Sequence, residues 1–210
     1  MSLRAVVFDF GMVLTGQPDT QAHDDMVRMT GLSAEDFEKH YWTDRHAYDE
    51  GKLTGIAFWQ KLLSDAKLEL GPHAVEELNR SDARMWTTQN PVMVAWQAAL
   101  VEHGIKTAIL SNMGDSVLES ISREFAWLGR FDVLIWSYQH LMAKPDPAIY
   151  RLTLQRLGTR PEETLFLDDK RENIDAALAL GFRALQFTTV DQLRKDLVAA
   201  GYDRELPMPA

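Results

Sequence analysis

The chain has no cysteine, which excludes disulfides and every metal site built on thiolate. It also lacks any stretch long and apolar enough to span a bilayer. Its start carries no basic segment leading into an apolar one, so the expectation is a soluble cytoplasmic protein without membrane contact. Positive charge is in short supply: 22 Lys and Arg stand against 31 Asp and Glu, a net charge of −9. Such a surface repels phosphate polymers and speaks against nucleic acid as a partner. It leaves room for one small phosphorylated metabolite held by a local cation. Repeats and low-complexity segments are missing as well. What is present is an ordinary globular composition, 46% hydrophobic and 25% charged, which excludes a disordered chain. At 210 residues it has room for one α/β core and a small accessory domain, as a monomer or homodimer.

The most informative segment is Arg4-Ala5-Val6-Val7-Phe8-Asp9-Phe10-Gly11-Met12-Val13. Residues 5–8 are too short a run for a helix and read as a buried strand of a parallel sheet. Asp9 stands where that strand ends, and ligands of open parallel sheets bind outside the carboxyl ends of the strands. Gly11 lets the backbone come close to whatever sits there.

From Asn90-Pro91, a cap followed by proline at the first helical position, the chain alternates. Helices are expected over 91–103, 115–126, 147–157, 171–180 and 190–200, and strands over 105–110, 133–136, 164–167 and 183–187. This predicts a doubly wound, Rossmann-like parallel sheet with helices on both faces. Residues 16–88 break the alternation, because they offer helices and no strands. Ser33 and Thr54 read as helix caps, and the helix after Thr54 is expected to bury Ile56, Trp59, Leu62 and Leu63 on one face. The economical organisation is an α/β core made of 1–15 and 89–210, with 16–88 inserted as a small α-helical cap domain over Asp9.

The other strand ends are polar. Ser111-Asn112 follows one, Lys144-Pro145 lies in the loop after the next, and Asp168-Asp169 closes a third. On one rim of the sheet, acids so close would repel one another unless a cation intervened. All-oxygen ligands suit Mg²⁺, with phosphate and water filling its remaining sites. Lys144, Ser111 and Asn112 would hold phosphoryl oxygens, and Asp9 would be a nucleophile able to accept phosphoryl and release it to water.

With these motifs in this order, the chain resembles the haloacid dehalogenase-like hydrolase superfamily, and in particular its glucose-1-phosphatase-like and epoxide hydrolase N-terminal phosphatase branch. The resemblance implies hydrolysis of a small phosphate monoester, sugar phosphates included, through an aspartyl-phosphate. It implies Asp9 as nucleophile and metal ligand, the Gly11 carbonyl as a second ligand, and Asp169 as the direct acidic ligand. Asp168 would bind the metal through water or orient Lys144, unless it merely caps the following helix. Ser111, Asn112 and Lys144 would bind phosphate, with Lys144 also serving catalysis.

One position departs from the pattern. Most phosphatases of the superfamily carry a second Asp two residues after the nucleophile, to protonate the leaving alcohol, and here that position is Gly11. General acid–base catalysis is typically worth ~10²–10⁴-fold. Three explanations fit: a substrate with a good leaving group such as a sugar 1-phosphate, a cap donor such as His46 or His23, or a catalytically weak protein that binds a phosphometabolite. The rival enzyme reading is a 2-haloacid dehalogenase, although Gly11 and the acidic doublet speak against it.

In the cap, Tyr41, Trp42, Arg45, His46 and Tyr48 cluster before Asp49-Glu50-Gly51. Arg45 and His46 are candidates for substrate binding. The competing expectation is a helix that packs Tyr41, Trp42 and Tyr48 into the cap's own core with Arg45 outside. Most of the tryptophans are expected in core or domain-interface packing.

Overall fold

The computed structural model describes residues 2–210. Its sheet has five strands, β1 (Ala5–Phe8), β2 (Lys106–Ser111), β3 (Val133–Trp136), β4 (Thr164–Asp168) and β5 (Arg183–Gln186), ordered β3-β2-β1-β4-β5. All four pairings are parallel. The chain winds outward from β1 through β2 to β3, then returns to the other side for β4 and β5. The strand order therefore reverses at β1, where a doubly wound sheet opens its binding crevice.

Burial follows the pleat, since successive side chains point to opposite faces. Val6 and Phe8 join Ile109, Leu165 and Leu167 in the core on one face, covered by α6 (Pro91–Glu102), α7 (Asp115–Glu124) and α10 (Val190–Ala199). Ala5 and Val7 join Ala108, Leu110 and Phe166 on the other face, covered by α8 (Pro147–Leu157) and α9 (Arg171–Ala179). β1 is fully buried on both faces, which is why it reads as an uninterrupted apolar run. The helix expected over 115–126 ends at Glu124, and Ala126–Arg130 forms a 3₁₀ turn.

Between β1 and β2 lie α1 (Thr20–Thr30), α2 (Ala34–Thr43), α3 (Arg45–Asp49), α4 (Gly55–Asp65) and α5 (Pro72–Met85). Asp19, Ser33 and Thr54 accept backbone N–H bonds at three of their N-termini, as capping chemistry predicts. These helices share a core of their own, built on Met26, Phe37, Tyr41, Tyr48, Phe58, Trp59 and Leu78. Two expectations are corrected here. On α4 the buried positions are Phe58, Trp59, Leu62 and Leu63, while Ile56 is exposed. Trp42 is 51% exposed, its ring edge-on to Tyr41 and its indole N–H bonded to Glu38 at 2.7 Å.

The helical segment leaves and rejoins the sheet domain through paired backbone. Thr15 bridges Gln89 antiparallel, Gly16 N–H donates to the Thr88 carbonyl at 2.7 Å, and Asn90 N–H donates to the Leu14 carbonyl at 2.9 Å. Further contacts seat the helices on the carboxyl end of the sheet. Gly55 N–H donates to Asp115 at 2.9 Å, and the Ser137 hydroxyl donates to the Asp49 carbonyl.

Candidate active site

Asp9 leaves β1 still in register, its N–H donating to the Leu167 carbonyl at 2.8 Å. Its Oδ1 accepts from Phe10 N–H at 2.7 Å and lies 2.9 Å from Lys144 Nζ. The Phe10 ring goes the other way, into the core, stacked on Trp127 and edge-on to Trp136. The following turn is tied by Thr15, whose hydroxyl accepts from Met12 N–H at 3.1 Å and donates to the Phe10 carbonyl. The left-handed residue of this turn is Met12, at φ 61°, while Gly11 has an ordinary φ of −62°. The backbone conformation does not require a glycine, but a Cβ added there would lie 3.8 Å from the Trp86 ring.

Lys144 reaches Asp9 from the loop between β3 and α8. Its backbone is held by Asn112, which accepts from Lys144 N–H and donates to the Lys144 carbonyl, each at 2.8 Å. The buried ammonium lies 2.6 Å from Asp168 Oδ2 and over the Phe166 ring at 5.7 Å. Asp168 is fully engaged. Besides Lys144 it accepts from Lys170 N–H at 2.8 Å and from the Asn173 amide at 2.9 and 3.1 Å. Of the roles open to it from sequence, orienting Lys144 and closing the turn into α9 are the ones its geometry performs. Asp169 forms no ion pair among the described residues.

One oxygen from each of Asp9, Asp168 and Asp169 lies within 4.8 Å of the others. Burial is the largest influence on Asp9, and Asp168 and Asp169 add to it. Together they overcome Lys144 and push the Asp9 carboxyl up to about 7. Asp169 is raised for the same reasons, burial first and Asp168 next. Burial works against the Lys144 ammonium, but Asp168 and Asp9 outweigh it and its pKa rises. Three acids against one buried lysine leave an excess of negative charge in a closed space, the condition a divalent cation relieves. The oxygen donors fit Mg²⁺ in type and spacing.

Ser111 closes β2 at the same rim, buried, with no hydrogen bond to its hydroxyl among the described residues, so this donor is free. The expectation for Asn112 needs correction, because its carboxamide is committed to the Lys144 backbone and positions that residue. The expectation for Arg45 changes more. Its guanidinium is buried, bonded to Asp49 at 3.0 Å, to Asp82 at 3.0 and 3.2 Å, and to the Tyr41 hydroxyl. It neither points outward nor reaches the rim of the sheet. His46 is turned to solvent, its ring 66% exposed and 3.6 Å from Glu50. His23 is 2.6 Å from Glu38. No interaction brings either imidazole to Asp9.

Two residues not singled out from the sequence, Trp86 and Ser137, complete the surroundings together with Tyr48. Trp86, just past α5, faces Gly11. The Tyr48 ring presses on Gly114, where a Cβ would lie 2.1 Å from Tyr48 Cζ. Ser137 bonds both Met113 N–H, at 2.8 Å, and the Asp49 carbonyl, joining the loop after Ser111 to α3. The one available signal was for Trp86, a tryptophan at the expected return from the helical segment to the sheet domain.

A parallel sheet with an acid, a lysine and an acidic doublet converging at its switch point is an arrangement suited to an α/β hydrolase. Comparison with known families makes this specific: haloacid dehalogenase-like hydrolase sequences match residues 3–181, and the chain belongs to that family. It is 31% identical over 204 residues to Phosphatase MT3486 of Mycobacterium tuberculosis, a match covering 94% of this chain and 93% of that protein. It is 28% identical over 202 residues to (S)-2-haloacid dehalogenase 1 of a Pseudomonas species, covering 90% and 86%. The fold is that of a haloacid dehalogenase-family enzyme from Bacteroides thetaiotaomicron solved with magnesium and inorganic phosphate. That likeness has a TM-score of 0.75 at 19% identity and covers 89% of this chain and 95% of the other.

Proposed function

We propose that the protein is a Mg²⁺-dependent phosphatase that hydrolyses a small phosphate monoester, a sugar phosphate among the candidates, through an aspartyl-phosphate on Asp9. The observation that carries this reading is the placement of Lys144 Nζ between Asp9 and Asp168, with Asp169 beside them. The match to a named phosphatase along nearly the whole chain supports it. So does the magnesium and phosphate complex of a protein with this fold.

In this reading an Asp9 oxygen attacks phosphorus as the ester P–O bond breaks, and the leaving oxygen takes the bonding pair and is protonated by solvent water on release. Water then attacks the same phosphorus, breaking the bond to Asp9 and freeing phosphate. Lys144 and the Ser111 hydroxyl hold phosphoryl oxygens as charge redistributes. Asp168 and Asn112 keep Lys144 in place. Asp9, the Gly11 carbonyl and Asp169 would hold Mg²⁺, with Asp168 at one remove. Bound there, the cation would neutralise phosphoryl charge and favour the ionised form of Asp9. Residues 16–88 act as the cap that excludes water in the first step and opens in part to admit it for the second, and 1–15 with 89–210 form the catalytic core.

A dehalogenase reading has a relative in its favour. Displacement at carbon, however, gains nothing from three acids within 4.8 Å of one another. The test is turnover of a phosphate-ester panel with Mg²⁺, sugar 1-phosphates included, by wild type and Asp9→Asn, alongside 2-haloacids without metal. Phosphate release by wild type alone supports the reading. Halide release alone, or saturable phosphate binding by calorimetry with no product, overturns it.

A further inference from the structure

Trp86 is the cap side chain that faces Gly11 in the Asp9 loop. A Cβ on Gly11 would touch Trp86 at Cζ3 and Cε3, 3.8 and 3.9 Å away. Those atoms form the apolar benzo edge of the indole. Nε1 lies on the opposite side of the ring, buried and without a hydrogen-bond partner. Trp86 is therefore held by packing alone. Behind it stands Arg45, its Cζ 5.9 Å from the Trp86 ring and 5.2 Å from the rings of both Tyr41 and Tyr48. Asp49 and Asp82 fix the guanidinium in turn. The cap thus brings the apolar edge of an indole, with a buried cation over its ring, to the residue two along the chain from Asp9.

In an in-line displacement the leaving oxygen departs on the side of phosphorus away from the nucleophile. Asp9 attacks from the sheet, so the leaving group faces the cap. We infer that Trp86 is a specificity-determining residue whose apolar indole edge packs against a ring-bearing leaving group, and that Arg45, fixed by Asp49 and Asp82, is a positioning residue that holds the Trp86 ring in place. This deepens the phosphatase reading and rests on it. The preferred class is then a phosphate ester whose alcohol carries a flat aromatic or pyranose face next to the scissile oxygen. Acyclic esters would bind through the phosphoryl group alone.

The test uses the full chain with Mg²⁺, p-nitrophenyl phosphate as the ring-bearing probe, glycerol phosphate as the acyclic one, and inorganic phosphate as a competitive inhibitor. Trp86→Leu keeps apolar volume at the cap without an aromatic edge, and Trp86→Phe restores a ring. Loss of the aromatic edge predicts a rise of about tenfold in KM for p-nitrophenyl phosphate in Trp86→Leu. Recovery to within about threefold is expected in Trp86→Phe, with the glycerol phosphate KM and the phosphate inhibition constant both within about twofold of wild type. Arg45→Met should reproduce the Trp86→Leu pattern. An unchanged p-nitrophenyl phosphate KM in Trp86→Leu, or an equal rise for all three ligands, overturns the assignment while leaving the phosphatase reading intact. Absence of turnover of either ester by wild type removes that reading, and this inference with it.

Discussion

The Asn112 carboxamide grips the Lys144 backbone on both sides, accepting from its N–H and donating to its carbonyl at 2.8 Å each. The residue that ends one strand's loop thereby sets where the buried lysine of the next loop begins. Breaking this pair leaves two polar groups of Lys144 without partners, at about 1–3 kcal/mol for each one that water cannot reach. Asn112→Ala should lower stability by about that amount and kcat/KM by at least about tenfold. Urea unfolding and steady-state kinetics check both, and unchanged kinetics would deny Asn112 its positioning role.

Asp9 carries a pH signature. Its carboxyl is raised from 3.8 to about 7, chiefly by burial. Between those values the folded protein binds a proton that the unfolded chain has released, so the Asp9 contribution makes stability fall as pH rises through this window. Without metal, the stability of wild type relative to Asp9→Asn should decline from about pH 4 to about pH 7 and level off above. Denaturant melts across that range measure it, and a difference independent of pH would contradict the shift.

The two acids of the doublet should separate by experiment. Asp168 is committed to Lys144, Lys170 and Asn173, whereas Asp169 forms no ion pair among the described residues. Mg²⁺ should raise the melting temperature of wild type, and Asp169→Asn should abolish most of that rise. Asp168→Asn should instead retain part of the Mg²⁺ response while losing turnover, because it unhooks the lysine. Thermal melts over a magnesium titration distinguish them. Equal loss of the response in both variants would mean that the doublet binds the cation as one unit.

Gly11 has room for a Cβ and an ordinary φ of −62°, so it is Trp86 rather than the backbone that opposes a longer side chain there. Gly11→Asp alone should leave hydrolysis of glycerol phosphate no faster than wild type. Gly11→Asp with Trp86→Ala should accelerate it by at least about tenfold, a fraction of what a positioned general acid commonly supplies. A gain in the single variant equal to that in the double would show that the indole is no obstacle.

The polar rim of the sheet was legible because each element ended on a local signal. Helix α8 runs from Pro147 to a left-handed Gly158 at φ 65°, β3 is bounded by polar turns, and Asp9, Ser111 and Asp168 each close a strand. The cap was less legible, for reasons of distance along the chain. Arg45 is buried because Asp82 comes 37 residues later to pair with it, and no local pattern announces such a partner. Adjacent helix positions point about 100° apart, so Tyr41 and Trp42 do not share one face. The hydroxyl of Tyr41, 2.6 Å from Asp82, gives it the inside position and leaves Trp42 exposed. Asn112 was placed correctly at the rim, but its side chain turns to a loop that folds beside it only in the tertiary structure.

Whether Asp9 is the group that takes the phosphoryl can be read from acid-quenched single turnovers, with Mg²⁺ and enzyme in excess over p-nitrophenyl phosphate, by the mass of the Asp9 peptide. The account predicts one phosphoryl group on Asp9 that appears with p-nitrophenol and decays as phosphate is released, and no phosphate release by Asp9→Asn. Release of p-nitrophenol with no phosphoryl on Asp9 at any time, or phosphate release undiminished in Asp9→Asn, would contradict it.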